Sequence, residues 1–233
     1  MKPHETYCSQ MCEAKIRLIS AERMVESQSP LTGYSSLDSE FCFLQIRKIN
    51  ELITFSGMVR EEARYRKLRD KDRRSDKDRV DPSADWKASK ILARLVKLSP
   101  HMLPIPLGEH FQSELRTIHF ERKDLAVNHE RLIELYETCS EFMHVSNPLV
   151  ENIGEQVEDQ RQKYTNAPDT VRAALTFLRR LLWLHAVVKL EWTDTDNPCS
   201  IENPECAWIV DFSAPDDQTV NMTLATTLDT DPA

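Results

Sequence analysis

Four glycines in 233 residues is the first shortage in this chain. Few glycines leave few positions for the tight turns of a strand-rich sandwich, so helices are favoured. Long apolar runs are also missing. The richest, "LTFLRRLLWLHAVVKL" from Leu175 to Leu190, is broken by two arginines, a histidine and a lysine. It is shorter and more charged than a membrane span requires. The opening "MKPHETYCSQ" lacks the apolar core of a signal peptide. Several catalytic signatures are absent as well: no Gly-rich phosphate loop, no His-Glu-x-x-His and no Gly-x-Ser-x-Gly. No two cysteines have the two-residue spacing of a zinc knuckle.

What is present supports a packed soluble protein. Forty per cent of the residues are hydrophobic, enough to fill a core at this length. The net charge is −8, which argues against a protein-wide basic surface for nucleic acid. Six cysteines without a secretory signal imply free thiols in a reducing cytosol, so the expected location is cytoplasmic.

The spacing of apolar residues predicts a helix over Tyr7–Val25, with Ile16, Leu18, Ile19 and Val25 on its apolar face. Pro30 and Gly33 punctuate the chain after it. A second helix starts near Asp38 or Ser39. Phe41, Leu44, Ile49, Leu52 and Met58 lie on one side, widened by Cys42, Ile46, Ile53 and Phe55. From Arg60 to Arg79 ten residues are basic and six acidic, near +4, which leaves about −12 elsewhere. That block reads as a fraying helix and a flexible, solvated connector near residues 68–82. Asp81 or Ser83 then caps a helix with Trp86, Ile91, Leu92, Leu95 and Leu98 on its apolar face.

"SPHMLPIPLG" carries three prolines and predicts an extended segment, and Leu115–Arg122 alternates like a short strand. The next helix has the stripe Leu132, Leu135, Tyr136, Cys139, Phe142 and Met143, ending before Asn147-Pro148. Two further helices are expected, the second opened by Pro168 and running to His185. "AVVKLEW", "CAWIVDF" and "TVNMTLATT" then alternate as strands. The expected fold is mainly α: an irregular helical bundle over residues 1–185 with a small C-terminal antiparallel β-meander over 186–233. The meander packs on the bundle.

Three groups of residues could carry function. Arg180 and His185, in "RLLWLH", are spaced so that an arginine could hold a phosphate while a histidine moves a proton. With seven histidines in an arginine-rich chain the spacing also arises by chance, and "LLWL" between them fits a core helix. His144, in the last turn before Asn147-Pro148, reads either as a proton carrier or as a cation against the helix carbonyls. The connector residues Arg66, Lys67, Arg69, Arg73 and Arg74 could meet a phosphate backbone, with Tyr65 available to stack. The interleaved Asp70, Asp72, Asp76 and Asp78 would repel the same phosphates, so a self-paired charge run is the competing account. His4, Cys8 and Cys12 recur at helical spacing, but the pattern falls short of a zinc site. No metal and no cofactor is expected.

"DSEFCFLQIRKINELI", "DWKASKILARL" and "LYETCSEFMHVSNPL", in that order, resemble a family of bacterial helical proteins with no established activity. That family has a helix opening on Glu-Phe, a Trp-x-Ala-x-Lys-Ile-Leu segment, and a helix ending in His-x-x-Asn-Pro. The resemblance covers about Ser39 to Leu149 and implies no catalytic role. The helix pairs are also similar to the HEPN bundle, at the level of fold analogy. Two functions are therefore expected. The first is a non-enzymatic protein of bacterial or mobile-element kind that binds a protein partner or a second copy of itself. The alternative is a HEPN-like metal-independent ribonuclease acting on RNA through Arg180 and His185, or His144.

Overall fold

The structure is a computed structural model that describes residues 3–71, 85, 87–98, 103–112, 118–122, 129–144, 153–188, 206–213 and 216–226. Among these residues it is mainly helical, with an antiparallel sheet. The helices are α1 (Pro3–Val25), α2 (Ser35–Arg60), α3 (Glu62–Lys71), α4 (Ala88–Leu98), α5 (His129–Met143) and α6 (Ile153–Leu182). The strands are β1 (Ile105–Gln112), β2 (Ile118–Arg122), β3 (Leu184–Val188), β4 (Cys206–Asp211) and β5 (Asn221–Thr226).

Helix α2 is the centre of the bundle and packs on α1, α4, α5 and α6. Its core positions are Cys42, Phe43, Ile46, Ile49 and Ile53, all fully buried or nearly so. Phe43 stacks on Phe142 of α5 at 3.8 Å, and Phe142 meets the Tyr164 ring of α6 edge-on at 5.8 Å. One aromatic column thus ties three helices, worth about 0.5–1.5 kcal/mol per ring pair beyond area burial. Asn50 donates to the Leu132 carbonyl at 2.6 Å, which satisfies a buried amide and joins α2 to α5. Helix α5 buries Leu132, Leu135, Tyr136, Cys139 and Phe142, the face its sequence spacing marks out.

Helix α1 buries Tyr7, Met11, Ala14, Leu18 and Ala21, a repeat of four and three residues that suits close pairing with α2. Of the apolar face expected for α1, Leu18 alone is in the core, and Ile16 is exposed. Lys15 is fully buried and donates to the Thr219 carbonyl at 2.7 Å, fixing α1 to the turn before β5.

Three expectations are corrected. Residues 153–182 form one helix where two were expected, with Pro168 inside it. An interior proline removes a backbone hydrogen bond and costs about 3 kcal/mol. Packing outweighs that cost here: Ala167 and Val171, on either side of the proline, are both in the core. Second, α3 stays helical to Lys71, so the first part of the expected connector is ordered helix. Tyr65 is 1 % exposed and donates to Asp85 at 2.7 Å, so it is not available to stack on a base. The rest of the connector, 72–82, lies outside the described residues.

Third, the helix expected to reach His185 stops at Leu182; the expected C-terminal antiparallel sheet is present, and the β1–β2 hairpin extends it. Its order is β2-β1-β3-β4-β5, all antiparallel. The β1–β2 hairpin, from the middle of the chain, joins it through Ile105 opposite Ala186 and Pro106 opposite His185. Helix α6 ends at Leu182, so His185 belongs to β3 and not to the preceding helix.

Candidate functional site

The end of α6 separates the two residues of the expected Arg–His pair. Arg180 is in the last helical turn and exposed, whereas His185 is in the strand and fully buried. Nδ1 of His185 lies 2.8 Å from the Leu182 carbonyl, and Nε2 lies 2.8 Å from the Tyr7 hydroxyl. A carbonyl only accepts, so Nδ1 carries the proton and Nε2 accepts from Tyr7. The imidazole therefore closes a carbonyl left open at the helix end, a structural task. Burial pulls its pKa down to about 4, which keeps the ring neutral at ordinary pH. Phe212 packs edge-on against it at 6.1 Å.

Beside this pair lies an ionic group absent from the sequence expectations. Arg60 and Glu61 have side chains 2 % and 3 % exposed, with Nε and Oε1 3.5 Å apart. That is an ion-pair contact, too long for a good hydrogen bond. Among the described residues none of the three guanidinium nitrogens of Arg60 has a hydrogen-bond partner, and neither has Oε2 of Glu61. Burial lowers the Arg60 pKa, opposed by Glu61 and Tyr7. Burial raises that of the Tyr7 hydroxyl, opposed by Arg60.

The other candidates are dispersed. His144 is exposed, one residue past the end of α5. Arg66 binds Glu62 of its own helix at 2.9 Å, and Lys67 is exposed. Arg69 pairs at 2.9 Å with Asp85, the carboxylate that also accepts from Tyr65 and lies 3.6 Å from Arg94. Arg69 is thereby committed to a structural cluster. Arg73 and Arg74 lie outside the described residues. His4 stacks on Trp208 at 5.0 Å, away from any metal arrangement with Cys8 and Cys12. Among the described residues no three His, Cys, Asp or Glu side chains converge as a metal site. No helix among them is long and apolar enough to cross a membrane.

The surface that does gather charged groups lies between α1 and α6. A groove of about 930 Å³ is lined by Ile19, Glu22, Arg23 and Glu26 from one helix and Arg172, Leu175, Thr176, Arg179 and Arg180 from the other. Positions 19, 22, 23 and 26 follow i, i+3, i+4 and i+7, with Glu26 in the turn that closes α1, and Arg172 to Arg179 repeats that spacing in α6, so each set is one helix face. Four arginines and two glutamates give the groove +2 in a chain of −8. Arg179 binds Glu22 at 2.7 Å and lies over the Trp183 ring at 3.7 Å. Partial burial raises the pKa of Glu22, opposed by Arg179. Arg172 pairs with Asp169, and Arg23 with Asp216, both in exposed contacts. Among the described residues Arg180 makes no hydrogen bond or ion pair.

The groove runs into a pocket of about 220 Å³, with Val25, Ser27 and Arg172 lining both. Met24, Pro30, Cys42, Pro168 and Val171 supply its apolar wall. The Cys42 thiol is nearly buried, and burial pushes its pKa up to about 11, so it is a wall group and not a nucleophile. Asp38 accepts from the backbone N–H groups of Leu31 and Thr32 at 2.8 and 3.0 Å and so fixes the loop at the pocket mouth. Of the groove arginines, Arg180 was a candidate from its spacing to His185, with Arg179 one residue further from that histidine. The helical spacing of Glu22, Arg23 and Glu26 with Arg172 and Arg179 was the signal for the rest.

The chain matches no protein-family model, no curated protein and no solved structure.

Proposed function

We propose that the protein acts by binding another protein, without catalysis, and that the α1–α6 groove is the binding surface. One observation carries this reading. The groove gathers four arginines on two helix faces, while Arg180 is exposed and His185 is fully buried. Cations on a rigid helical surface are well placed to bind, and exposed ion pairs there exchange partners at little cost. The ribonuclease alternative asks Arg180 and His185 to act on one phosphate. A neutral histidine sealed between Tyr7 and Leu182 offers such a phosphate no proton. The test is turnover. Purified protein, with and without chelator, is offered RNA, nucleotides and carboxyl esters. No turnover is expected. Catalysis that survives purification and falls in a His144→Ala variant overturns the reading.

A further inference from the structure

The shape and chemistry of the groove narrow the partner further, an inference that rests on the binding role proposed above. We infer that the groove receives an acidic protein segment carrying one large aliphatic side chain. Its carboxylates lie on Arg172 and Arg180, and its aliphatic group enters the pocket between Pro30 and Pro168.

Charge complementarity argues for an acidic occupant. Arg180 is free among the described residues, and Arg172 and Arg23 are held only by exposed carboxylates that an incoming one can replace. Within the same groove Glu22 and Glu26 stand beside the arginines. A continuous polyphosphate would meet both of them, whereas a peptide can space its carboxylates to avoid them. The chain's charge of −8 opposes a nucleic acid more strongly than a segment of few charges.

Size argues for a side chain. Pockets for drug-sized ligands run to about 300–1,000 Å³. At about 220 Å³ this one suits a single side chain inserted from a longer segment. Leu31, Tyr34 and Leu37, chain neighbours of the lining residues Pro30, Ser35 and Asp38, are 64 %, 68 % and 46 % exposed. Exposed apolar residues in a segment that lines a pocket suit contact with protein more than with phosphate.

The experiment measures fluorescence anisotropy with a labelled peptide of Asp and Glu around a single Leu. Comparison probes are the same peptide with Leu→Ala, and a single-stranded RNA of matched charge. The proteins are wild type, the double variant Arg172→Glu/Arg180→Glu, and Ser29→Trp, which fills the pocket mouth from an exposed loop. Circular dichroism checks that each variant is folded. The expected result is saturable binding of the Leu peptide to wild type, weakened about tenfold or more by Leu→Ala. The double variant weakens both peptides, and Ser29→Trp weakens the Leu peptide more than the Ala peptide. Equal binding of the two peptides, unchanged binding to the double variant, or no binding of any probe overturns the inference. RNA binding more tightly than the peptide overturns it too, but leaves a non-catalytic binding role standing. Turnover of RNA removes the binding role itself.

Discussion

The two ends of α1 hold the same kinds of residue in opposite conditions. Near Tyr7, Arg60 and Glu61 at the end of α2 and His185 of β3 are buried. Near Glu22 and Arg23, arginines and glutamates face solvent in the groove. In the first place, removal from water decides the behaviour: His185 is neutral, and Arg60 finds no hydrogen bond among the described residues. In the second, water screens each pair and leaves the charges available to a partner. Residue type therefore says little about function until burial is known.

The comparison can be broken most sharply at Arg60. Arg60→Met leaves the buried Glu61 carboxylate without its closest cation, since Arg64 is 4.0 Å away and partly exposed. A loss of about 3–5 kcal/mol is expected in urea unfolding. Adding Glu61→Leu should recover most of it, because an apolar pair removes the stranded charge. If Arg60→Met alone is neutral, the buried end is not under electrostatic stress.

Acid is the next lever. The folded His185 has a pKa of about 4 and an unfolded histidine about 6.5, so the unfolded chain binds the extra proton between those values. Stability from this group is complete above about pH 6.5 and is lost as pH falls toward 4, on the order of 3 kcal/mol in all. Urea midpoints at pH 7 and pH 4.5 should differ less in His185→Gln than in wild type. An equal pH slope in both would place the titration elsewhere.

Tyr7→Phe removes the hydroxyl donor and leaves Nε2 of His185 buried without a partner, at a cost of about 1–3 kcal/mol by thermal or urea unfolding. The smallest effect belongs to the groove. Arg180→Ala should change stability by no more than about 0.5 kcal/mol, because the side chain is exposed and makes no hydrogen bond or ion pair among the described residues. A large loss there would make the groove part of the framework and erase the contrast.

How much of this was legible in the sequence depended on whether one face alone decided the structure. Helix α5 has a single apolar stripe, and five of its six expected core residues are buried. Strands β4 and β5 were also legible from alternation. Helix α2 was visible as a helix, but it is surrounded. Its core includes Gln45, Asn50 and Thr54 while Leu44 is exposed, so apolarity misplaced the face. At Pro168 a local rule was overruled by packing on both sides. Arg180 and His185 are neighbours only on an unbroken helix, and nothing local marks the break at Leu182. Tyr7, 178 positions away, supplies the contact that holds His185 in place. The Arg60–Glu61 pair sat inside a charge run that reads as solvated, and burial by distant elements is invisible to composition.

The strand order also sets a timetable. β1 can pair with β2 as soon as that hairpin exists, yet its other edge waits for β3, with Ile105 meeting Ala186. Tyr7 is separated from His185 by 178 positions, more than twice that stretch of chain. Until α6 has formed and delivered β3, the hairpin carries an open edge of unpaired backbone, the kind of edge that recruits other chains. Contacts this distant in sequence slow folding relative to a bundle joined only by neighbours. The hazardous moment for this molecule is therefore the interval before its central strand arrives, and whatever shortens that interval should raise the yield of folded protein more than any added surface contact.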